Sequence, residues 1–210
     1  MPPRVEEGIE AMKGCRPLTV EEIDAALGTF QGRFALRNRA LFMLGIKSGF
    51  RIRELCSLRV RDVIQRGHIK DDVTVARRNM KRKQEGRTVF LNDKARAALV
   101  AWLPELYRRG YASPESFVFQ SQKGFNRPIS IVQGYRVLQQ VFDALGMTGN
   151  LGTHSMRKSF ANAVYAAFLA RGQSDPLRMT AKAMGHKSID STDRYLSFRR
   201  EEVNDVIRGL

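Results

Sequence analysis

The sequence has few of the residues that build disulfide frameworks and metal sites. Its 210 residues include 2 cysteines and 3 histidines. Because Cys15 lies in the leading segment and Cys56 lies inside an apolar pattern, we expect two ordinary thiols and neither a disulfide nor a metal knuckle. No histidine pair at positions i and i+4 carries a glutamate, and no set of aspartates clusters, so we expect no metal. A Walker loop is also missing, and we therefore expect no cofactor and no use of nucleotide hydrolysis.

Long apolar runs are missing as well. No stretch approaches the roughly 20 apolar residues that a membrane-spanning helix needs. The N-terminal stretch MPPRVEEGIEAMKG has no apolar signal core. We therefore expect a soluble, cytoplasmic protein with no membrane partner.

Acidic residues are too few to balance the basic ones. The chain has 36 Lys and Arg against 21 Asp and Glu, which gives a net charge of +15. This excess is more than solubility requires and predicts a polyanionic partner, with nucleic acid first and an anionic membrane surface second. The 43% of hydrophobic residues can bury a substantial core, so one large domain is expected.

The periodicity of the apolar residues predicts a mainly helical chain. Thr19 with Glu22 three residues later forms a capping box in front of apolar positions at helical spacing. A second helix is expected to end at Gly49, and a short helix to restart in RIRELCSL. Further helices are predicted from Asn92 or Asp93 to about Arg109, from Ser130 to Gly146, from a cap at Thr153, from Asp175, and in RREEVNDVIRG.

Two short β-branched runs, DVTVAR and RTVFL, flank a charged turn. They predict a hairpin or small antiparallel sheet, and SFVFQS is a candidate edge strand. The predicted fold class is therefore α+β, mainly α-helical, with one small antiparallel β-sheet.

Four short motifs could carry chemistry, and each also has an ordinary structural explanation. GFRIREL places Arg51 in the first turn of a short helix, where a phosphate or an ion pair with Glu54 could satisfy its charge. THSMR places a histidine and Arg157 on one face of the first helical turn, which favours an anion but also fits a solvated basic face. His186 can equally stabilise a helix C-terminus, and Tyr195 alone fits core packing.

Taken in order, Arg51, His154, Arg157, His186 and Tyr195 resemble the tyrosine recombinases, also called phage-type integrases. The family stretch G-x-R-[IVL]-x-E-L is matched by GFRIREL, and the family H-x-x-R at the head of a long helix is matched by THSMRKSFA. The family G-H-x-S with a tyrosine nine residues after the histidine is matched by GHKSIDSTDRYL.

The resemblance implies the domain organisation. It covers about residues 17–210, which would form the family's catalytic domain, with residues 1–16 as a tail or linker. Family members normally carry a helical core-binding domain before the catalytic domain. Since only about 16 residues precede it here, we expect either a shortened chain or a naturally minimal enzyme of prokaryotic or phage type.

The resemblance also implies site-specific DNA recombination through a covalent 3′-phosphotyrosine. Tyr195 would attack the phosphorus, and Arg51 and Arg157 would clamp the non-bridging oxygens, on which charge develops. His154 would act as the base, because a phenol has a pKa near 10. His186 would donate to a phosphate oxygen. The partners would be double-stranded DNA and further copies of the chain, as a tetramer on paired sites.

The family also places a lysine in the hairpin turn, where it protonates the leaving 5′ oxygen. Six of the twelve residues from Ala76 to Arg87 are basic. We assign Lys81, with Lys83 in reserve, because the usual spacing falls between them, on Arg82.

The other cations of this turn are expected to line the DNA backbone. They are Arg77, Arg78, Arg82 and Lys83. Lys158, which follows the arginine of the H-x-x-R motif where the family often has histidine, is expected to add a phosphate contact and not to be catalytic.

Two other functions fit the same motifs. One is a DNA-binding protein of this fold that no longer cuts, which is disfavoured because each catalytic position holds a competent residue. The other is a relaxing topoisomerase of the type IB kind, which shares the tyrosine ester but needs no second site.

Overall fold

The computed structural model describes residues 14–75, 87–186, 188–193, 195–196 and 207–209. The helices of these residues are α1 (Val20–Thr29), α2 (Ala35–Ser48), α3 (Ile52–Ser57), α4 (Val60–Val63), α5 (Asp93–Arg108), α6 (Ile131–Ala144), α7 (Thr153–Ala170), α8 (Pro176–Met184) and α9 (Ile189–Asp193). The strands are β1 (Ile64–Gln65), β2 (His68–Ile69), β3 (Asp72–Val75) and β4 (Arg87–Phe90). In the described part of the chain no helix is both long and apolar enough to cross a bilayer. The prediction of a mainly helical fold is confirmed.

The caps of most helices follow from their sequences. The hydroxyl of Thr19 accepts from the amide of Glu22 at 3.2 Å, and the carboxylate of Glu22 accepts from the amide of Thr19 at 2.9 Å, which confirms the predicted capping box. The side chains that cap α5, α6 and α8 are those of Asn92, Ser130 and Asp175. Of the predicted C-terminal helix, only residues 207–209 lie within the described part.

Two predicted helix starts are each wrong by one residue. Thr153 is the first residue of α7 and not its cap, because the Gly152 amide donates to the hydroxyl of Ser155 at 3.1 Å. Arg51 is the N-cap of α3 and does not lie in its first turn, because Glu54 accepts from the Arg51 amide at 2.8 Å.

The prediction of a single sheet is wrong, because the described residues contain two. β3 pairs antiparallel with β4, from Asp72 opposite Phe90 to Val75 opposite Arg87, and this is the hairpin that the sequence predicted. β1 and β2 form a second ladder of two residues each. Strands this short show no alternation in the sequence, and the hairpin instead depends on positive φ angles at Arg66 and Gly67, 50° and 79°.

The predicted edge strand SFVFQS is also wrong for the described residues. This segment makes only isolated bridges, Phe117 with Arg59 and Gln120 with Pro128. Since Pro128 has no amide hydrogen, a regular ladder cannot continue through it.

Helix α2 is the centre of the main core. Leu41, Phe42 and Leu44 are completely buried, and α5 and α7 pack against the helix. A Cβ atom at Gly45 would approach Met156 on α7 to 2.5 Å, so the absence of a side chain lets the two helices come together. This packing brings the C-terminal end of α2 next to the first turns of α7.

A smaller apolar cluster supports the C-terminal end of the described chain. It contains Ala161 on α7, Met184 at the end of α8 and Leu196, and the rings of Phe160 and Tyr195 pack against it. The two ends that carry the predicted motifs, those of α2 and α8, therefore meet beside the start of α7.

The close packing at the end of α2 generates a stability prediction. Gly49 has a φ of +62°, and a Cβ atom there would overlap the ring of Phe160. Gly146 has nearly the same φ, +61°, but a Cβ atom there would meet none of the described residues within 4 Å. We expect Gly146→Ala to lower the free energy of unfolding by about 1 kcal/mol, from backbone strain alone, and Gly49→Ala to lower it by about 3 kcal/mol, because the ring must also move.

Urea denaturation of both variants measures the two losses. Equal losses would mean that Phe160 moves aside freely and that this contact does not fix the end of α2.

Candidate active site

Arg157 lies near the start of α7 and is 1% exposed. Its Nη1 donates to the carbonyl of Gly49, and its Nη2 donates to the carbonyl of Met184 at 2.6 Å. These carbonyls lie at the C-terminal ends of α2 and α8, where helix dipoles favour a cation. Burial, with Arg87 and Arg51 close by, lowers the pKa of the Arg157 guanidinium to about 9, so the group stays charged at neutral pH.

Arg87, the first residue of β4, lies beside Arg157 and is 7% exposed. Its Nη1 donates to the Met184 carbonyl at 2.7 Å, and its Nη2 lies 3.3 Å from the Gly49 carbonyl. The two guanidiniums thus share both carbonyl acceptors. Burial lowers the pKa of the Arg87 guanidinium, and the attraction of Glu54 opposes that shift.

Glu54 is the carboxylate that balances this pair of cations, and it is 1% exposed. Its Oε2 accepts from Arg87 at 3.1 Å, and its Oε1 accepts from the Arg51 side chain at 3.0 Å. Burial by itself would raise the pKa of Glu54, but Arg87, Arg51 and Arg157 outweigh burial and hold it below its ordinary value. The ion pair considered for GFRIREL therefore exists.

Arg51 keeps part of its surface despite that ion pair. Its side chain is 32% exposed, whereas that of Glu54 is 2% exposed. The carboxylate therefore fixes one edge of the Arg51 guanidinium and leaves the rest open to solvent, where an anion can reach it.

His186 and Thr192 connect the arginines to the tyrosine. The Nη2 of Arg157 lies 3.2 Å from Nε2 of His186, and Nδ1 of His186 lies 2.9 Å from the Thr192 hydroxyl. Because a guanidinium can only donate, Nε2 is assigned as the acceptor and Nδ1 carries the hydrogen. The carbonyl of Thr192 accepts from the amide of Tyr195 at 2.8 Å.

The Tyr195 hydroxyl lies 3.3 Å from Nδ1 of His154. Its ring centroid is 5.1 Å from that of His186 and 5.7 Å from the guanidinium carbon of Arg157. The buried neighbour Leu196 anchors the backbone, since its amide donates to the Thr192 carbonyl at 3.0 Å. The tyrosine therefore faces the arginine cluster of its own chain.

His154 is held in its neutral form. The residue is exposed on one side, but partial desolvation of the ring where it faces the site lowers the pKa of its imidazole. The charges of Arg157, Arg51 and Lys158 lower this pKa further. A neutral imidazole has a free ring nitrogen that can accept a proton from the phenol.

The structure brings five predicted residues into one site: Arg51, His154, Arg157, His186 and Tyr195. Lys158 is half-buried, which lowers the pKa of its ammonium group, and its contact with DNA stays a prediction. The remaining predicted residues, Arg77, Arg78, Lys81, Arg82 and Lys83, lie outside the described residues.

Sequence reasoning missed Arg87 and Thr192. In the structure Arg87 and Val89 are buried while Thr88 and Phe90 are exposed, but both Val89 and Phe90 are apolar, so the sequence alone did not show which face is buried. An arginine in phase with the apolar face of a strand predicts a buried charge that needs a partner. Nothing in the sequence alone distinguished Thr192 from other polar residues.

Within the part of the chain that the structure describes, no group of three or more His, Cys, Asp or Glu side chains could hold a metal. Burial raises the pKa of the Cys56 thiol to about 12, so this cysteine is not a reactive thiolate.

The sequence matches a family model and several curated relatives. The model of the phage integrase family matches residues 16–202. The tyrosine recombinase XerD of Mycobacterium leprae is 31% identical over 207 residues, which cover 92% of this chain and 60% of the relative. The tyrosine recombinase XerC of Myxococcus xanthus is 30% identical over 199 residues, 90% of this chain and 60% of the relative. The chain thus spans about 60% of the length of these curated relatives.

Solved structures have the same fold. The crystal structure of XerA recombinase gives a TM-score of 0.71 at 18% identity, over 93% of this chain and 65% of that one. The crystal structure of XerH site-specific recombinase bound to palindromic difH substrate, a post-cleavage complex, gives a TM-score of 0.69 at 22% identity. The match covers 91% of this chain and 51% of that one.

The surroundings of His154 generate a titration prediction. Its lowered pKa means that the ring should gain its proton below the ordinary value of about 6.5, as measured by NMR of the imidazole signals. Since the unfolded chain binds this proton at higher pH, folding stability should decrease as the pH falls below about 6.5. His154→Gln identifies the signal, and Arg51→Met should move the pKa part of the way back. A midpoint at or above 6.5 would contradict the assignment.

Proposed function

The chain belongs to the phage integrase family, and from that membership we propose that it is an enzyme that cuts and rejoins DNA strands at specific sites. The substrate is double-stranded DNA, and the intermediate is a 3′-phosphotyrosine at Tyr195. The observation that carries the proposal is the position of Tyr195, whose hydroxyl lies 3.3 Å from His154 Nδ1 and whose ring centroid lies 5.7 Å from the guanidinium carbon of Arg157. A nucleophile, a neutral base and a cationic clamp thus lie together in one chain.

The first step forms one bond to phosphorus and breaks another. The phenol oxygen of Tyr195 attacks the phosphorus, its proton passes to His154, and the bond to the 5′ oxygen breaks. Negative charge increases on the non-bridging oxygens in the transition state, where the forked donors of Arg51 and Arg157 stabilise it. Loss of such a donor typically costs about 3 to 4 kcal/mol.

His186 is proposed to orient the phosphate. In the DNA-free site its Nε2 accepts from Arg157, so donation to a phosphate oxygen requires either the other tautomer or a protonated ring. An incoming phosphate favours the protonated form, because its charge attracts the imidazolium.

The leaving 5′ oxygen also needs a proton, and Lys81 is the proposed general acid, with Lys83 as the alternative. Arg77, Arg78 and Arg82 of the same turn, together with Lys158, are proposed to contact the DNA backbone. The net charge of +15 supports such contacts, because neutralising phosphates releases counterions and increases affinity.

The reaction can run in both directions without a cofactor. The phosphotyrosine ester conserves the energy of the broken bond, so a 5′ hydroxyl from a second strand can attack it and release Tyr195. Exchange between two duplexes requires two DNA sites held together, and we propose a tetramer of this chain on paired sites. Joining of two labelled sites would distinguish this activity from DNA relaxation.

The nucleophile is tested with Tyr195→Phe. Wild-type protein should form a detergent-stable adduct with a nicked DNA substrate, visible on a denaturing gel. The variant should form none, because it lacks the attacking oxygen, while its DNA affinity stays within about twofold. Tyr107→Phe, which removes a hydroxyl on α5, is the matched control and should give the wild-type yield. An adduct of normal yield with Tyr195→Phe would exclude this tyrosine as the nucleophile.

The general acid is tested with a substrate whose bridging 5′ oxygen is replaced by sulfur. A thiolate leaves without a proton. The Lys81→Ala variant should therefore cleave ordinary DNA more slowly than wild type but cleave the sulfur substrate at the wild-type rate. Lys83→Ala should weaken binding and lower its salt dependence, as expected for the loss of one phosphate contact. Rescue of Lys83→Ala instead would move the assignment to Lys83, and rescue of neither would mean that the proton comes from another group.

A further inference from the structure

We infer that Arg87 is a positioning residue of the cleavage reaction, which holds the Arg157 guanidinium in the orientation that binds the scissile phosphate. This inference rests on the proposed function, since it assigns a task within the cleavage step. Arg87 lies outside the five-residue pattern and is 7% exposed. Its Nη atoms donate to the Met184 and Gly49 carbonyls and to Glu54, whereas Arg157 also contacts His186 and the Tyr195 ring. We therefore assign the effect of Arg87 on cleavage to its neighbours.

The shared acceptors are the first line of evidence. Arg87 and Arg157 both donate to the carbonyls of Gly49 and Met184. Each carbonyl oxygen has two lone pairs, so one oxygen can hold two guanidiniums only if both approach at fixed angles. Arg87 thereby sets the positions of the same two oxygens that orient Arg157.

The second line of evidence is the space made for Arg87. Gly185, which ends α8 with a φ of +61°, lies so close that a Cβ atom would overlap the Arg87 side chain. The backbone conformation and the contact both require glycine at this position. The end of α8, next to His186, is therefore shaped around the Arg87 side chain.

The third line of evidence is charge. Glu54 binds Arg87 and Arg51 at 3.1 and 3.0 Å. Three guanidiniums face this one carboxylate, so the cluster has an excess of two positive charges. Without Arg87 that excess would fall to one positive charge. Glu54 would then attract the guanidiniums of Arg51 and Arg157, which are proposed to bind phosphate. Arg87 therefore neutralises the charge of Glu54, so that Arg51 and Arg157 can bind the phosphate.

The test compares two DNA substrates at saturating protein in single-turnover cleavage. One has an ordinary scissile phosphate, and the other has a methylphosphonate, in which a methyl group replaces one non-bridging oxygen and removes its charge. A neutral centre needs less cationic stabilisation, so cleavage of it depends less on the orientation of Arg157. Arg87→Met should cleave the phosphate about 100-fold more slowly than wild type, with a DNA Kd within about twofold, and the deficit should shrink to about tenfold or less on the methylphosphonate.

Arg87→Lys is the second variant, because removing the partner of a buried carboxylate destabilises a protein and Arg87→Met can fail to fold. Lysine keeps the charge, but its single ammonium cannot span both carbonyls and Glu54 as a forked guanidinium does. We expect a deficit of about tenfold on the phosphate, again smaller on the methylphosphonate. Thermal melting shows which variant is folded, and Arg87→Lys decides the test if Arg87→Met is not.

Arg37→Met is the matched control for the loss of a buried arginine. Arg37 is completely buried and donates to the Gln120 carbonyl at 2.6 Å, at the opposite end of α2 from Gly49. This variant should have a lower Tm than wild type. Its cleavage rate, and the ratio of its rates on the phosphate and methylphosphonate substrates, should equal those of wild type.

Each outcome separates the inference from the proposed function. If the wild-type protein cleaves DNA, three results would each overturn the role of Arg87 but not the proposed function. They are a normal cleavage rate for Arg87→Met, an equal deficit of this variant on both substrates, and the same pattern of deficits in Arg37→Met. Failure of the wild-type protein to form an adduct would overturn the proposed function and this role with it.

Discussion

The site depends on two buried guanidiniums that share the same two backbone carbonyls. Arg87 and Arg157 both donate to Gly49 and Met184, which lie at the C-terminal ends of α2 and α8. Moving a guanidinium out of water is costly, and only geometry with several partners repays that cost. The helix dipoles and the carboxylate of Glu54 each supply part of the compensation. The convergence of the two helix ends therefore creates a place where cations can be buried.

That arrangement leaves the site with unbalanced charge. The Nε atoms of Arg87 and Arg157 have no acceptor among the described residues, and both guanidiniums, like His154, have lowered pKa values. An anion entering the site would relieve this repulsion. Unbalanced buried charge and unpaired donors lower stability, and such losses are common at functional sites.

The sequence was informative where function requires fixed residue types at fixed spacing. The motifs of Arg51, Arg157 and Tyr195 are local, so they could be read together with the helices that carry them. Arg87 was missed because its partners are 33 and 97 residues away in the chain. Such contacts exist only after β4 has packed against the ends of α2 and α8. The β1–β2 hairpin was missed for a different reason, because two-residue strands leave no periodicity and the turn is specified by backbone angles alone.

Met184 links the segment of Tyr195 to the two buried guanidiniums. Its carbonyl holds both guanidiniums, while its side chain is completely buried in the cluster that contains Leu196 and supports Tyr195. One residue therefore takes part in the polar network through its backbone and in apolar packing through its side chain. A second connection runs through Thr192, whose hydroxyl contacts His186 and whose carbonyl holds the Tyr195 amide. Met184 and Thr192 both lie within 12 residues of Tyr195 in the sequence. A shift of the backbone at Tyr195 therefore also changes the surroundings of Arg87 and Arg157. The position of the Tyr195 ring and the electrostatic field of the arginines thus depend on the same contacts.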